Sequence, residues 1–461
     1  MSEFQFATVE DFIAAYKGGS TDPVQVTERA LTAMAGLDRL DPPMRTFILV
    51  DAPAVKRQAE ASAARWRMGQ PLSPLDGVPV ALKDEFDVAG YPTTCGAKFL
   101  GDKRATADAV VVARLRAAGA VLLGKTNMHE LGFLPTGLNP WHGAARNPYD
   151  PARDTGGSSS GSGAAVGMGL CPVALGNDGG GSIRIPAALC GVSGLKGTFG
   201  RVPMDGVPVL CWSLEHAGPL GATIADVLAA FAIITDEQLR LPPLNKLGRP
   251  LRLGVCATWN QWASDEVRAI VDSAVEKLAR RVNARVVPIE LPHIELSLPV
   301  GAATFTVEGA AALEPYLRQD QPLSPSTRLS LELVRGMTAV GYVKTQRARA
   351  LVVRDFERAF ENVDAILSPA TGMTAPRYHD DAVASDELDE TTTNRMVTFT
   401  FAENLSGMPA VATPAGYDGE GMPVGLQVVT PHGQDLLALS IAAAVEQDLE
   451  RRRPRVWYPL L

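Results

Sequence analysis

The sequence predicts an α/β protein built on a mixed β-sheet. Helical and strand rhythms alternate along the chain, and the strand candidates are short apolar runs of the kind buried inside a sheet. A hydrophobic fraction of 46% over 461 residues is enough to bury a large core.

Residues 8 to 37 read as two packing helices. The second opens at Thr21-Asp22-Pro23 and places Val24, Ala30, Leu31 and Met34 at helical spacing. Gly77 to Leu82 (GVPVAL) reads as a short buried strand that delivers Lys83 at its end. A helix over about 107 to 118 stops at Gly119, and Val121 to Leu123 form the next strand. Ser162 to Leu170 is rich in Ala and Gly, which suits a tightly packed internal helix. The proline-bearing stretch 241 to 252 is the best candidate for a subdomain boundary, with a strand (LRLGV) at its end. Beyond it, 265 to 282 and 340 to 363 are amphipathic helices. Ala365 to Leu367 and 424 to 430 are strands, and a last helix covers about 435 to 452, its end marked by Arg451 to Arg453.

A formal net charge of -8 and a pI near 5.4 leave no basic stripe for phosphates, so nucleic acid is not an expected partner. No run of 18 uninterrupted apolar residues is present, and the N-terminus is acidic where a signal peptide is basic, so a cytoplasmic protein without a membrane anchor is expected. The five cysteines, Cys95, Cys171, Cys190, Cys211 and Cys256, lack CxxC spacing and read as reduced, buried thiols. The six histidines lack HExxH or HxH spacing, so neither a metal nor another cofactor is expected.

Chemistry concentrates between Gly156 and Pro186 (GGSSSGSGAAVGMGLCPVALGNDGGGSIRIP), where two glycine-serine clusters flank an apolar stretch. Serine hydroxyls attack carbonyls once a base removes their proton, and glycines let backbone amides approach a ligand. Three motif matches compete. Gly119 to Thr126 (GAVLLGKT) fits a phosphate loop by letter, but its middle residues are themselves a strand. Gly157 to Gly161 (GSSSG) fits a nucleophile elbow centred on Ser159, with His432 as base and Asp364 or Asp380 as acid, yet no strand runs into it. Ser193 to Lys196 (SGLK) fits SxxK without its SDN partner. The scattered histidines leave lysine as a candidate base.

Lys83, Gly156-Gly157-Ser158-Ser159 and Gly180-Gly181-Ser182-Ile183-Arg184-Ile185-Pro186-Ala187 together resemble the amidase signature family of serine hydrolases. The likeness extends to GKTNMHE at 124 to 130, RNPYDP at 146 to 151, CGVSGLKGTFGRVP at 190 to 203 and GMPVGLQVV at 421 to 429. It covers about 75 to 220 and 360 to 450, while 240 to 360 carries little of it. The resemblance implies a single domain over 1 to 461, with a large mixed central sheet covered by helices on both faces and a variable helical, substrate-side insert at about 240 to 360.

It also implies a Ser-cisSer-Lys triad with Ser182 as nucleophile, Ser158 as relay through a cis Gly157-Ser158 peptide, and Lys83 as base. A lysine ordinarily titrates near ~10.4, so it serves as a base only where its site disfavours the ammonium, and burial behind an apolar strand is expected to do that. Strand alternation turns the adjacent Asp84 to the opposite face. The amides of Gly179, Gly180, Gly181 and Ser182 are expected to form the oxyanion hole. Asp178 and Arg184 would support the turn, and Ser159 would be a loop hydrogen-bonder.

One position departs from the family. Many members have Thr-Asp-Thr-Gly-Gly-Ser where this chain has Asn177-Asp178-Gly179-Gly180-Gly181-Ser182. The extra glycine, Gly179, is expected to widen the acyl or leaving-group pocket or to loosen the turn, admitting bulky aryl amides, esters or carbamates. Cys95, Phe133, Leu134, Thr136, Trp212 and Met373 are expected to wall that pocket, which favours apolar or aryl acyl groups over glutamine. The expected function is amide hydrolysis through an acyl-enzyme, with ester or urethane cleavage also open to it, by a monomer or homodimer acting on small molecules. The alternatives are a non-catalytic scaffold, an esterase using Ser159 and His432, and a glutamine-hydrolysing amidotransferase subunit.

Overall fold

The computed structural model describes residues 4–246, 249–317, 319, 321–379, 381–386 and 389–461. Its strands are β1 (Phe47–Leu49), β2 (Pro79–Lys83), β3 (Val121–Thr126), β4 (Val173–Asp178), β5 (Ser193–Lys196), β6 (His216–Gly221), β7 (Arg252–Val255), β8 (Arg285–Pro288), β9 (Ala365–Pro369), β10 (Ala410–Tyr417) and β11 (Pro423–Val429). Among the described residues they form one 11-stranded sheet in the order β1-β3-β2-β4-β6-β5-β10-β11-β9-β7-β8. The sheet is mixed: β2 runs parallel to β3 and β4, whereas β4 is antiparallel to β6, and β10 to β5 and β11. Every residue of β2, β3 and β4 is buried, which explains their continuous apolar runs. The phosphate-loop look-alike is β3 with its preceding turn, as its hydrophobicity predicts.

The helix starts follow their sequence signals. Asp22 caps the Pro23–Leu37 helix by accepting from the Gln25 amide, and Thr223 forms a capping box with Asp226 on Ile224–Thr235. The internal helix is Ser160–Gly167, and its small residues have a packing reason. A Cβ on Gly161 would lie 2.3 Å from the Thr46 carbonyl oxygen, and one on Gly163 would lie 2.9 Å from Pro186 Cβ.

Beyond the 241 to 252 segment, β7 and β8 extend the same sheet through β9. One expectation is corrected. The last helix ends at Glu446 rather than 452. Arg451 instead turns inward and donates to the Gly191 and Ala222 carbonyl oxygens at 2.8 and 3.1 Å, contacts a continued helix would not make. A further helix, Ser297–Leu317, was not legible as one element. With the preceding short turn it forms a 24-residue segment of mean hydropathy 1.3, long and apolar enough by composition to cross a membrane, yet it packs on the site described next.

Candidate active site

The end of β2 carries Lys83, which is 1% exposed. Its Nζ donates to Ser158 Oγ at 2.7 Å and to the Asn177 carbonyl oxygen at 3.3 Å. The Gly157–Ser158 peptide is cis, and a Cβ on Gly157 would lie 2.2 Å from the Thr136 carbonyl oxygen, so only glycine fits there. The Ser159 amide donates to the Ser182 carbonyl oxygen at 3.2 Å, which joins the two glycine-serine clusters. Ser182, at 9%, is the most exposed of the three residues predicted to form the triad, and so the one an incoming carbonyl can reach.

Asp84 turns away from Lys83 and pairs with Lys125 at 2.9 Å. The strand ends at Lys83, and the turn that follows, closed by the Phe86 amide on the Lys83 carbonyl oxygen at 3.2 Å, brings Glu85 back to Lys83. Glu85 Oε2 lies 2.9 Å from Lys83 Nζ. The expectation of a purely apolar setting for Lys83 is therefore corrected: its three donor directions face Ser158, Asn177 and a buried carboxylate. Gly132 closes this cluster, since a Cβ there would meet Glu85 Oε1 at 2.9 Å and Ser158 Oγ at 3.2 Å.

The turn after β4 is fixed from below. Arg184, with no exposed surface, donates to both Asp178 oxygens at 3.0 Å, to Glu403 at 2.9 Å and to Gln427 at 2.7 Å. Asn404 donates to the Asp178 carbonyl oxygen and to Oδ1 at 2.8 and 2.9 Å. Burial alone would push the Asp178 carboxyl up, but the charge and hydrogen bonds of Arg184 outweigh it and hold the group below the usual carboxylate range. Asp178 Oδ1 in turn accepts from the Gly181 amide at 2.7 Å. That corrects the four-amide oxyanion expectation: Gly181 is committed to Asp178, which leaves Gly179, Gly180 and Ser182 as the available donors.

The space beside Gly179 is filled. A Cβ there would lie 2.8 Å from Phe305 Cε2 and 3.3 Å from Glu215 Cγ. The expectation that this glycine widens the pocket is overturned, because Phe305 of the Ser297–Leu317 helix occupies the vacated volume. Glu215 also accepts from the Leu210 and Cys211 amides at 3.1 and 3.0 Å. Burial, followed by the negative charge of Glu85, pushes its carboxyl up to about 7.

The six predicted wall residues do not share one cavity. Leu134 and Thr136 line a recess with His129 and Tyr378, while Cys95 faces a cavity of about 530 Å³ together with Glu85 and Leu131. Trp212 stands on a separate groove beside Phe199 and His216. Phe133 and Met373 belong to the apolar cluster that holds Phe305 and Phe401. Sequence reasoning misses Glu85, Glu215 and Phe305, of which only Glu85 has a local signal.

The competing motifs dissolve. Ser159 is fully buried, and its hydroxyl meets the Asn177 carbonyl oxygen at 3.4 Å, while His432 is exposed next to Gly407. Asp364 pairs with Arg249 and Arg252, and Asp380 lies outside the described residues. The Ser193 hydroxyl bonds Thr413 and Glu446, whereas Lys196 bonds His216. Among the described residues no cluster of His, Cys, Asp or Glu could hold a metal.

Comparisons with known proteins identify the family and the fold. A family model described as Amidase matches residues 28–439. A fatty acid amide hydrolase of Arabidopsis thaliana is 37% identical over 483 aligned residues, covering 100% of this chain and 79% of the relative. A glutamyl-tRNA(Gln) amidotransferase subunit from Thioalkalivibrio sulfidiphilus is 34% identical, covering 97% of this chain and 99% of that one. A solved amidase crystal structure superposes with a TM-score of 0.87 at 33% identity, covering 96% of this chain and 100% of its own.

Proposed function

We propose, from the premise that this chain belongs to the amidase family and is an amide hydrolase, that it cleaves small apolar or aryl amides through an acyl-enzyme on Ser182. The observation that carries this is the 2.7 Å contact between Lys83 Nζ and Ser158 Oγ, with the adjacent Ser159 amide bonded to the Ser182 carbonyl oxygen. In this reading Ser182 Oγ attacks the carbonyl carbon as its proton passes to Ser158 and the proton of Ser158 passes to Lys83 Nζ. The oxyanion takes hydrogen bonds from the amides of Gly179, Gly180 and Ser182, after which the C–N bond breaks as Ser158 protonates the departing nitrogen and regains a proton from Lys83. Water then attacks the acyl-enzyme as its proton passes through Ser158 to Lys83, and the ester bond breaks as Lys83 returns that proton through Ser158 to Ser182 Oγ, releasing the acid.

The aromatic cluster of Phe133, Phe305 and Phe401 supports an apolar acyl group. Ester and carbamate (urethane) carbonyls meet the same machinery, so both belong in the proposed range. The five cysteines are free and buried, which supports a reducing, cytoplasmic setting, and the family chemistry calls on no cofactor. A fluorophosphonate probe should label Ser182, and labelling should vanish in both Ser182→Ala and Lys83→Ala. Persistent labelling in Lys83→Ala would overturn the triad.

The end-to-end match to the amidotransferase relative favours a second reading, glutamine hydrolysis within a complex. Ammonia release from glutamine compared with release from an aryl or fatty primary amide separates the two. The non-catalytic scaffold is set aside, since the chain is an amide hydrolase.

A further inference from the structure

We infer that Phe305 is a specificity-determining residue that sets the width of the site beside the oxyanion turn, an inference that rests on the proposed role of Ser182. The Ser297–Leu317 helix meets the site through residues spaced four apart, hence on one helical face: Gly301, Phe305 and Gly309. Each meshes with a partner. A Cβ on Gly301 would lie 2.4 Å from the Phe401 ring, and one on Gly309 would lie 2.9 Å from Phe133 Cζ. Phe305 stands between them, edge-on to Phe133 with ring centroids 5.5 Å apart, and its own edge fills the place of a side chain at 179.

Gly179 does not adopt a positive φ, so its backbone would accept a side chain, and what forbids one is Phe305. The two positions therefore divide one volume next to the amides that receive the oxyanion, and the larger share belongs to the helix. The same side of that helix is anchored about one turn further on. Glu308 accepts from the Ser213 hydroxyl at 2.7 Å and from Tyr342 at 2.9 Å, so the Phe305 ring cannot simply swing out with its backbone. Groups flanking the scissile carbonyl must fit against this ring, which selects flat or unbranched substituents over branched ones.

Two amide series test this, one of p-nitroanilides with increasingly branched acyl groups and one of N-alkyl amides of a fixed acyl group with increasingly branched amines, with rates normalised to Ser182 labelling by a fluorophosphonate. Phe305→Ala should raise the branched-to-unbranched ratio of kcat/KM in at least one series by ~10-fold, the scale of a few methylenes in a pocket. An unchanged ratio in both would overturn the inference. Gly179→Thr should lower kcat/KM on all substrates by ~10²-fold, as displaced oxyanion donors do. Combining it with Phe305→Ala should recover at least ~10-fold, the non-additivity expected of residues that share a volume. Strictly multiplicative effects would show that Phe305 does not fill the 179 slot. Hydrolysis that survives in Ser182→Ala would instead defeat the Ser182 reading, independently of the role of Phe305.

Discussion

The Asp178–Ser182 turn is held between two unlike flanks. On one side the buried guanidinium of Arg184 reaches Asp178, Glu403, Gln427 and the Thr400 carbonyl oxygen through directed hydrogen bonds. On the other, the rings of Phe305 and Phe401 press against Gly179 and Gly180. Hydrogen bonds constrain direction, whereas ring contacts only exclude volume. The polar flank can therefore fix where the amides point, and the apolar flank can decide what fits beside them. Their origins differ too: Arg184 stands two residues beyond Ser182, while Phe305 comes from the segment where the sequence resembles the family least.

The sharpest break lies on the polar flank. Arg184→Ala leaves Asp178 and Glu403 buried without their cation and should cost ~3–5 kcal/mol, a large share of a typical domain's stability. Urea denaturation measures it, and a cost under ~1 kcal/mol would mean that the network is not the anchor.

Glu215 sits between the flanks, and its effect depends on pH. Its folded pKa of about 7 lies above the ~4.3 of an unfolded glutamate, so the folded state binds the proton more tightly. Stability from this group is complete below about pH 4, is lost as pH rises through 7, and totals roughly 4 kcal/mol. Glu215→Gln cannot ionise and should gain stability relative to wild type between pH 5 and pH 8. An equal difference at both pH values would refute the assignment.

The smallest effect is expected where the flanks touch. The Thr400 hydroxyl donates to the Gly180 carbonyl oxygen at 2.6 Å, and Thr400→Val should cost ~1 kcal/mol in the same denaturation assay. A loss as large as that of Arg184→Ala would erase the distinction between a directed anchor and a packing wall.

Much of the fold was legible because its signals are local. Asp22-Pro23 starts a helix by capping and by a preset φ, and continuous apolar runs mark β2 and β3 as buried. Asp84 does face away from Lys83, but it and Glu85 lie in the turn after β2, whose closure and not strand alternation sets Glu85 against Lys83. The Ser297–Leu317 helix escaped because its stripe of small and aromatic residues has no simple amphipathic contrast. The wall residues were chosen by nearness in sequence to the signature, and the structure spread them over separate recesses.

By itself the sequence determined five of the strands described (β2, β3, β7, β9 and β11), the family and the residues able to carry the chemistry, because residue type and short-range periodicity hold that information. Only the tertiary structure decided the neighbours. It set Glu85 against Lys83, committed the Gly181 amide to Asp178, and filled the space beside Gly179 with a ring from a distant stretch of the chain. A glycine in a sequence announces a missing side chain but not what takes its place, since close packing lets any distant element fill the gap.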